Sequence, residues 1–429
     1  MLKQCVLSII LAVSVYIPAA QAQGATPSDG VFNVKLYGAT GDGATDDYLP
    51  ISVALTDAAK VGGTVYFPTG TYVISKPLTP GADVTLAGTG RKSSFIKPIA
   101  YFSQNGTSLI EVGNGADRVQ VRDLGFLSNN VAQSGVKMLT VQDALVERCW
   151  FDGGFYWSVF IGSSSRACRV TGIISEGTTV AHNVEINDSS YCEVSNNHLQ
   201  NSHGNGVEVY INTPGECAGN RIIGNFIESP RESGILLSGD SFTTVVGNTV
   251  KGAGTSGFIA HVGVLGPQYP SSGGQLVSNT FLDNGGTSNN GLILSSDSRS
   301  WTIKGNTVKG SANIGIYVSG VAHTVEGNIV TENARHGIYV ASKGHVIANN
   351  TCSNNSTLGA GVGDGIRVET SGCSLTGNRC TDTRATKLQY FGIALIGGGG
   401  HTLTANITNG NLNVGIYDAS TGSIKTGNI

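Results

Sequence analysis

Hydrophobic and polar positions alternate along this chain in short segments that recur at a regular spacing. Each unit in the second half holds an apolar residue, often Gly-Asn, a short polar stretch, and then Gly-apolar-x-apolar, as in Gly-Ile-Tyr-Val. The recurring asparagines are Asn197, Asn225, Asn248, Asn279, Asn306, Asn328, Asn350, Asn378 and Asn406, and the glycines are Gly206, Gly234, Gly257, Gly291, Gly315, Gly337, Gly365, Gly392 and Gly415.

Units of this length are typical of the turns of a β-solenoid, because period-2 alternation marks strands and Gly or Asn marks corners. They are too short to hold a helix each, so we expect three short parallel sheets with strands about 4.8 Å apart. The predicted fold is all-β, a parallel β-solenoid of about a dozen coils. The repeated asparagines should form a ladder at one tight corner.

Composition supports this class and excludes some functions. Charged residues make up 13% of the 429 residues, about half the usual ~25%. The formal net charge of −3 gives no basic excess for a phosphate backbone or an anionic membrane, so neither nucleic acid nor membrane is predicted as a partner.

The first 22 residues have the pattern of an export signal. Lys3 precedes an apolar run from Val6 to Ile17, and Ala20-Gln21-Ala22 supplies a small-x-small cleavage site. We therefore expect a signal peptide at 1–22 and a secreted or periplasmic protein.

Seven cysteines follow this signal, which permits at most three disulfides. Cys352 and Cys380 occupy equivalent inward positions one coil apart, and so do Cys168 and Cys192. Each pair is either a disulfide or two stacked thiols. No metal site is predicted, because the recurring potential ligands would form a line along one edge rather than a tetrahedron; they are His323, His345, Cys373 and His401.

Residues 32–74 carry a specific resemblance. The strings FNVKLYGATGDGATDDYLPISVALTDAA and GGTVYFPTGTYVI resemble the N-terminal segment of the pectate lyase-like superfamily, which includes rhamnogalacturonases, polygalacturonases and uronan epimerases. The resemblance implies a right-handed parallel β-helix that acts on polysaccharides. It divides the chain into the signal, an N-terminal strand and helix at 23–80, and β-helix repeats at 81–429.

A short helix is expected within the N-terminal segment. Thr45, Asp46 and Asp47 suit a helix N-terminus, and apolar residues from Ile51 to Ala58 line one face. We expect this helix to cap the open N-terminal end. Capping also explains the acidic residues without a metal.

The catalytic strings of the best-known members are absent. Neither the Gly-Asp-Asp and Gly-His-Gly strings of polygalacturonases nor the Asp-Pro-His string of mannuronan epimerases occurs. No catalytic residue can be transferred by resemblance, so the site is predicted from the register of the coils.

In Gly-apolar-x-apolar the apolar residues face inward, so the x residues form an outward column on one sheet. In this column Glu185 and Glu208 come from adjacent coils, about 5 Å apart, which is the carboxylate separation of a retaining glycosidase. Two such close acids raise one pKa and so supply a proton donor. The predicted catalytic residues are Glu185, Glu208, His182, Tyr210 and Lys137, with Lys137 neutralising a substrate uronate.

The flanking columns supply predicted substrate-binding residues, namely Trp157, Phe160, His203, Asn205, Arg231 and His261. Aromatic faces among them would pack on sugar rings. The alternative is that the acids belong to a solvated face and the histidines to hydrogen-bonded loops.

A second outward group is Tyr317, His336, Tyr339, Asp364, Arg367 and Glu369. Arg367 lies between two acids, so a structural ion pair is the more economical interpretation.

Taken together, these features predict a secreted enzyme that cleaves an extended polysaccharide, with or without uronate units, as a glycoside hydrolase or a lyase. No cofactor is expected, apart from Ca²⁺ if the enzyme is a lyase, and association into homotrimers is left open. The alternative is a non-catalytic carbohydrate-binding or surface-adhesive protein, because one fold hosts many functions.

Overall fold

The computed structural model describes residues 29–102, 108–113, 115–213, 215, 217–263, 265–287 and 289–429. The predicted signal peptide lies outside these residues. Within them, the chain winds through three parallel sheets in a repeating order, and every pairing joins strands of successive coils.

The first sheet has 16 strands: Val31–Asn33, Thr64–Phe67, Thr85–Gly88, Gln120–Arg122, Leu145–Glu147, Arg169–Thr171, Glu193–Ser195, Arg221–Ile223, Thr244–Val246, Gln275–Val277, Thr302–Lys304, Thr324–Glu326, Val346–Ala348, Ser374–Thr376, Thr402–Thr404 and Ile424–Thr426.

The second sheet has 14 strands: Asp42–Asp46, Gly70–Ile74, Ser94–Pro98, Gly125–Phe126, Trp150–Phe151, Ile174–Ser175, His198–Gln200, Phe226–Glu228, Thr249–Lys251, Thr280–Leu282, Thr307–Lys309, Ile329–Thr331, Thr351–Ser353 and Arg379–Thr381.

The third sheet has 13 strands: Ser108–Val112, Ser134–Leu139, Trp157–Gly162, Val184–Asn187, Val207–Tyr210, Ile235–Ser238, Phe258–His261, Leu292–Leu294, Ile316–Val318, Ile338–Val340, Ile366–Val368, Ile393–Leu395 and Ile416–Asp418.

The prediction of a parallel β-solenoid is confirmed, but the prediction of about a dozen coils is too low, since the solenoid makes about 15 turns. The N-terminal coils escaped the count because they lack the Asn signature. At the ladder position they carry Leu124, Cys149 and Ile173 instead, each buried and each following a residue with positive φ.

The asparagine ladder forms at the corner between the first and second sheets. Each of the nine predicted ladder asparagines is buried, and its side-chain oxygen accepts the backbone amide of the residue at the same position in the preceding coil. The bond from Asn306 N to Asn328 Oδ1, for example, is 2.9 Å long. The positive φ falls on the residue before the Asn, as at Gly305 (φ 64°) and Gly327 (φ 66°). The ladder also gains Asn428 beyond the predicted set.

The repeated glycines open the third-sheet strands for a different reason, which is lack of space. A Cβ on Gly315 would lie 2.4 Å from Val330 Cγ1 and 2.7 Å from the carbonyl oxygen of Gly337. Any larger residue would separate the second and third sheets at this edge.

The core is the interior of the solenoid, where the inward residues of all three sheets are buried. The seven described cysteines are all buried and free, so the paired positions hold stacked thiols. Cys352 and Cys380 are register partners on adjacent second-sheet strands.

A 3₁₀ helix, Val34–Tyr37, and an α-helix, Tyr48–Ala59, lie near the N-terminus. The α-helix buries Ile51, Ala54, Leu55 and Ala58 and packs against the 3₁₀ helix and the first two strands of the first sheet. These contacts do not establish the predicted cap over the end of the core. Neither helix of the described residues has the length and apolar character that a membrane span requires.

Candidate functional site

The outward column of the third sheet has the predicted register. Cα pairing connects, strand by strand, Glu111, Lys137, Phe160, Glu185, Glu208, Leu236, Ile259, Ile293, Tyr317, Tyr339, Arg367, Ala394 and Tyr417. Glu185 and Glu208 are therefore direct neighbours on the outer face of adjacent coils.

Glu185 lies between the core residues Val184 and Ile186, so strand alternation points its side chain away from the interior. It is nevertheless only 7% exposed. Its Oε2 accepts a 2.5 Å hydrogen bond from Trp157 Nε1, and its Oε1 accepts one of 3.2 Å from Asn187 Nδ2. These two donors fix the carboxyl group in one orientation.

Glu208 is equally covered, at 8% exposure. Its Oε2 makes a close hydrogen-bonding contact with His182 Nε2 and accepts a long hydrogen bond from Asn205 Nδ2 at 3.5 Å. His182 Nε2 also lies 4.0 Å from Glu185 Oε2. The imidazole is therefore shared between the two acids but held by Glu208.

The tautomer of His182 follows from its other nitrogen. The backbone amide of Asn205 donates to His182 Nδ1 at 2.8 Å, and an N–H group can only donate. The neutral ring therefore carries its proton on Nε2, directed at Glu208. Gly204 is required here, because a Cβ at that position would lie 2.6 Å from His182 Nδ1.

Burial raises the pKa of Glu185, and the charge of Glu208 adds to the rise, while His182, Trp157 and Asn187 oppose it. Burial alone would lower the pKa of His182, but the hydrogen bond and charge of Glu208 prevail and raise it. A second proton on His182 would still displace the Asn205 amide from Nδ1. The geometry thus favours a neutral imidazole that donates to Glu208.

Of the two remaining predicted catalytic residues, Tyr210 lies beside this centre and Lys137 does not. Tyr210 is the register partner of Asn187, and burial together with the charge of Glu208 raises its pKa, so it stays a phenol. Lys137 lies two coils away, with Nζ 5.9 Å from the centre of the Phe160 ring. It is therefore separated from the acids by the Phe160 coil.

The predicted substrate-binding residues occupy three places. Trp157 touches Glu185 and packs edge-on against Phe160, with ring centroids 5.3 Å apart. Arg231 Nη1 lies 3.2 Å from His203 Nε2 on the exposed margin. His261 lies two strands beyond Tyr210, and burial lowers its pKa.

The second predicted group is brought together too, but its members satisfy one another. The rings of Tyr317 and Tyr339 stack face to face with centroids 5.5 Å apart, so neither shared face is open to a sugar. Arg367 bonds Asp364 Oδ2 at 3.2 Å and Glu369 Oε1 at 2.7 Å. The Tyr339 hydroxyl donates to Glu369, and the Asp364 amide donates to His336 Nδ1.

His182, Glu185 and Glu208 each offer one ligand atom, and these atoms lie within 4.8 Å of one another. Spacing alone would therefore allow a cation. The donor chemistry does not fit a metal, because ligation through His182 Nε2 would move the ring proton to Nδ1, where the Asn205 amide already donates. The same arrangement recurs at His323 and His345, whose Nδ1 atoms accept the amides of Trp301 and His323.

Sequence reasoning missed a cleft whose lining includes Tyr156, the neighbour of Trp157 in the chain. Its volume is about 490 Å³, and its lining also includes Asn130, Gln133 and Thr179. These residues belong to the loops that lead into third-sheet strands. The repeat carries no signal for them, because the loops differ from coil to coil.

Two family models match the chain. The model described as rhamnogalacturonase A/epimerase, pectate lyase-like, matches residues 31–259, and a right-handed β-helix model matches residues 314–429. Among curated proteins, mannuronan C5-epimerase AlgE4 of Azotobacter vinelandii is 37% identical over 114 residues. That alignment covers 24% of this chain and 21% of the epimerase, a small part of the relative's length.

Solved structures are similar over most of the chain. The catalytic unit of a GH87 α-1,3-glucanase from Streptomyces thermodiastaticus has a TM-score of 0.65 at 17% identity, covering 95% of this chain and 70% of that one. PfbA, a surface adhesin of Streptococcus pneumoniae, has a TM-score of 0.58 at 16% identity, covering 80% and 92%. At such identities the similarity shows the fold alone.

Proposed function

Since the chain belongs to the rhamnogalacturonase A/epimerase, pectate lyase-like family, we propose that it is a polysaccharide-active enzyme, a glycoside hydrolase whose reactive pair is Glu185 and Glu208. The observation that carries the proposal is this pair of covered carboxyl groups on adjacent coils, within 4.8 Å of each other and of a His182 ring nitrogen. The family's polysaccharide-modifying relatives support the substrate class.

The two acids have different surroundings, which suits different roles. Glu185, with its raised pKa, is the proton donor to the departing glycosidic oxygen. Glu208, which accepts from His182 and Asn205, attacks the anomeric carbon as a carboxylate. Water then cleaves the glycosyl ester, with Glu185 taking its proton, so one water is consumed per bond broken.

His182 acts here through Glu208. Its Nε2–H is directed at the carboxylate, and its Nδ1 is occupied by the Asn205 amide, so no free nitrogen is left to accept a substrate proton. It is a positioning residue rather than the general base. Trp157 is likewise a positioning residue, because its Nε1–H donates to Glu185.

The test is to incubate the protein with a panel of polysaccharides and to follow new reducing ends together with ultraviolet absorbance. We expect reducing ends without unsaturated product. Glu185→Gln and Glu208→Gln should each lower kcat by about 10²–10⁴-fold, with unchanged folding by circular dichroism. Glu193→Gln is the matched control, since Glu193 lies between these acids in sequence but on the first sheet, paired with Arg221.

Other outcomes would overturn the proposal. Ultraviolet-absorbing product that appears with the reducing ends would assign β-elimination. Glycan binding without turnover, unaffected by both Gln variants, would favour the binding or adhesive alternative.

A further inference from the structure

The cleft at Tyr156 is lined by neutral groups. Asn130, Gln133 and Thr179 offer amide and hydroxyl groups, and Tyr156 offers an aromatic ring that is 42% exposed. Among the residues that the structure describes, those that line the cleft carry no charge. Such a surface suits a ring that carries hydroxyl groups and has apolar faces.

Two aromatic rings connect the cleft to the acids. The centroid of Tyr156 lies 6.2 Å from that of Trp157, and Trp157 donates to Glu185. Backbone amides of both residues donate to the carbonyl oxygen of Gln133, at 2.9 Å and 3.2 Å. The cleft and the proton donor are therefore fixed relative to each other.

The charges around the centre are mainly acidic. Besides the reactive pair, three carboxylates lie near enough to favour the protonated form of a neighbouring group. The charge of Glu232 does so at His182, that of Asp188 at Tyr210, and that of Asp297 at His261. The two cations predicted for the site around the acids, Lys137 and Arg231, lie apart from it. Lys137 lies two coils from Glu185 and has Glu111 as its other register neighbour, and Arg231 lies on the exposed margin against His203.

Beyond Glu208 the outward column becomes apolar. Leu236, Ile259 and Ile293 follow in register on the next three strands. At about 4.8 Å per strand they extend the face by roughly 14 Å, without a cation to meet an anionic sugar unit. A chain of carboxylates would meet repulsion at the acids and no compensation here.

We propose that the groove of the third sheet takes a neutral, hydroxyl-rich glycan rather than a polyuronate, and that the cleft beside Trp157 holds one of its sugar units against Tyr156. This inference rests on the proposed function, which it narrows. It also replaces the prediction from sequence that Lys137 neutralises a uronate of the substrate.

The test compares kcat/KM for neutral glucans, mannans and xylans with kcat/KM for polymannuronate and polygalacturonate at low salt. Turnover confined to neutral polymers, or at least tenfold faster on one of them, supports the proposal. Equal or faster hydrolysis of a polyuronate overturns it and leaves the hydrolase assignment standing. If no polymer is turned over, the hydrolase assignment fails, and binding of the same panel on affinity gels decides the inference.

Three variants sharpen the comparison. Tyr156→Ala should weaken KM or binding of the neutral glycan about five- to tenfold, whereas Tyr417→Ala, equally exposed at 41% in the last third-sheet strand, should not. Glu232→Gln should improve any residual action on polyuronate about two- to threefold at low salt, and added salt should erase the gain. The proposal is overturned if Tyr156→Ala binds the neutral glycan as tightly as the unchanged protein does. It is also overturned if the protein binds polyuronate more tightly than the neutral glycan.

Discussion

At the residue scale, backbone amides decide what the buried side chains can do. The Asn205 amide fixes the tautomer of His182, so a residue type that often serves as a base becomes a donor to Glu208. The same kind of bond leaves His323 neutral, with burial lowering its pKa to about 3. The sequence predicted that His182 lies beside the acids, but not its role, since a tautomer depends on a contact from the next coil.

Two substitutions separate the structural role of His182 from its positioning role. Asn in its place keeps an acceptor near the Nδ1 position but loses the donor to Glu208, so we expect normal thermal unfolding and a kcat about 10–100-fold lower. Gln can place an amide donor near the Nε2 position, so His182→Gln should recover part of the loss. If both variants lose activity only in proportion to lost folded protein, the positioning role is wrong.

Asp240 gives a prediction about pH and stability. It is fully buried, its Oδ1 accepts from Ser271 Oγ at 2.6 Å, and its Oδ2 has no hydrogen-bond partner among the described residues. Burial raises its pKa to about 6, against about 3.9 in an unfolded chain. The stability it contributes is therefore complete below about pH 4 and is lost as the pH rises through about 6.

Asp240→Asn removes this penalty, so it should stabilise the protein by about 3 kcal/mol at pH 8 and by little at pH 4, measured by urea unfolding. Asp382 is the control of opposite sign. Burial opposes its ionisation, but the Arg384 side chain and three backbone amides hold its pKa below the usual range. Asp382→Asn should therefore destabilise the protein at pH 8. A pH-independent gain for Asp240→Asn would contradict this account.

At the element scale, the strands are too short to be stable alone, and the corners define the fold. A three-residue strand shares its ladder with the coil above and the coil below, and the turn that follows the first sheet is closed by a positive-φ residue and a buried Asn. The regular spacing of these corners is why the sheets and the outward column could be predicted from sequence. The position of the helix relative to the end of the core could not be predicted, because one amphipathic helix packs equally well beside strands or over an end.

The ladder at Asn306 predicts a specific loss of stability. Its Oδ1 accepts both the backbone and side-chain N–H groups of Asn279, and its Nδ2 donates to the carbonyl oxygen of Leu276 at 2.8 Å. Asn306→Ala leaves buried groups in two neighbouring coils without partners, which should cost about 3 kcal/mol in urea unfolding. Asn409→Ala, at an exposed loop position, should cost less than about 0.5 kcal/mol. Equal costs would mean that the ladder is dispensable.

At the scale of the whole molecule, one face of the solenoid changes character along its length. The third sheet presents acids on its fourth and fifth strands and an apolar stretch after them. Further on lies the tyrosine and arginine group whose side chains contact one another. The order of these patches along the sheet could be predicted from the register, but the function of each patch could not. The cleft at Tyr156 depends on loops outside the repeat, and the enclosure of Glu185 and Glu208 depends on neighbours that sequence spacing does not show.

The most direct test of the central claim, that Glu185 and Glu208 react as a pair, is the anomeric configuration of the first product. Carboxyl groups about 5 Å apart leave no room for a water between them and the sugar, so the second acid must act as nucleophile. Proton NMR during hydrolysis of whichever polysaccharide of the panel is cleaved should show a first product that retains the anomeric configuration of the cleaved bond. A product of inverted configuration would contradict the account.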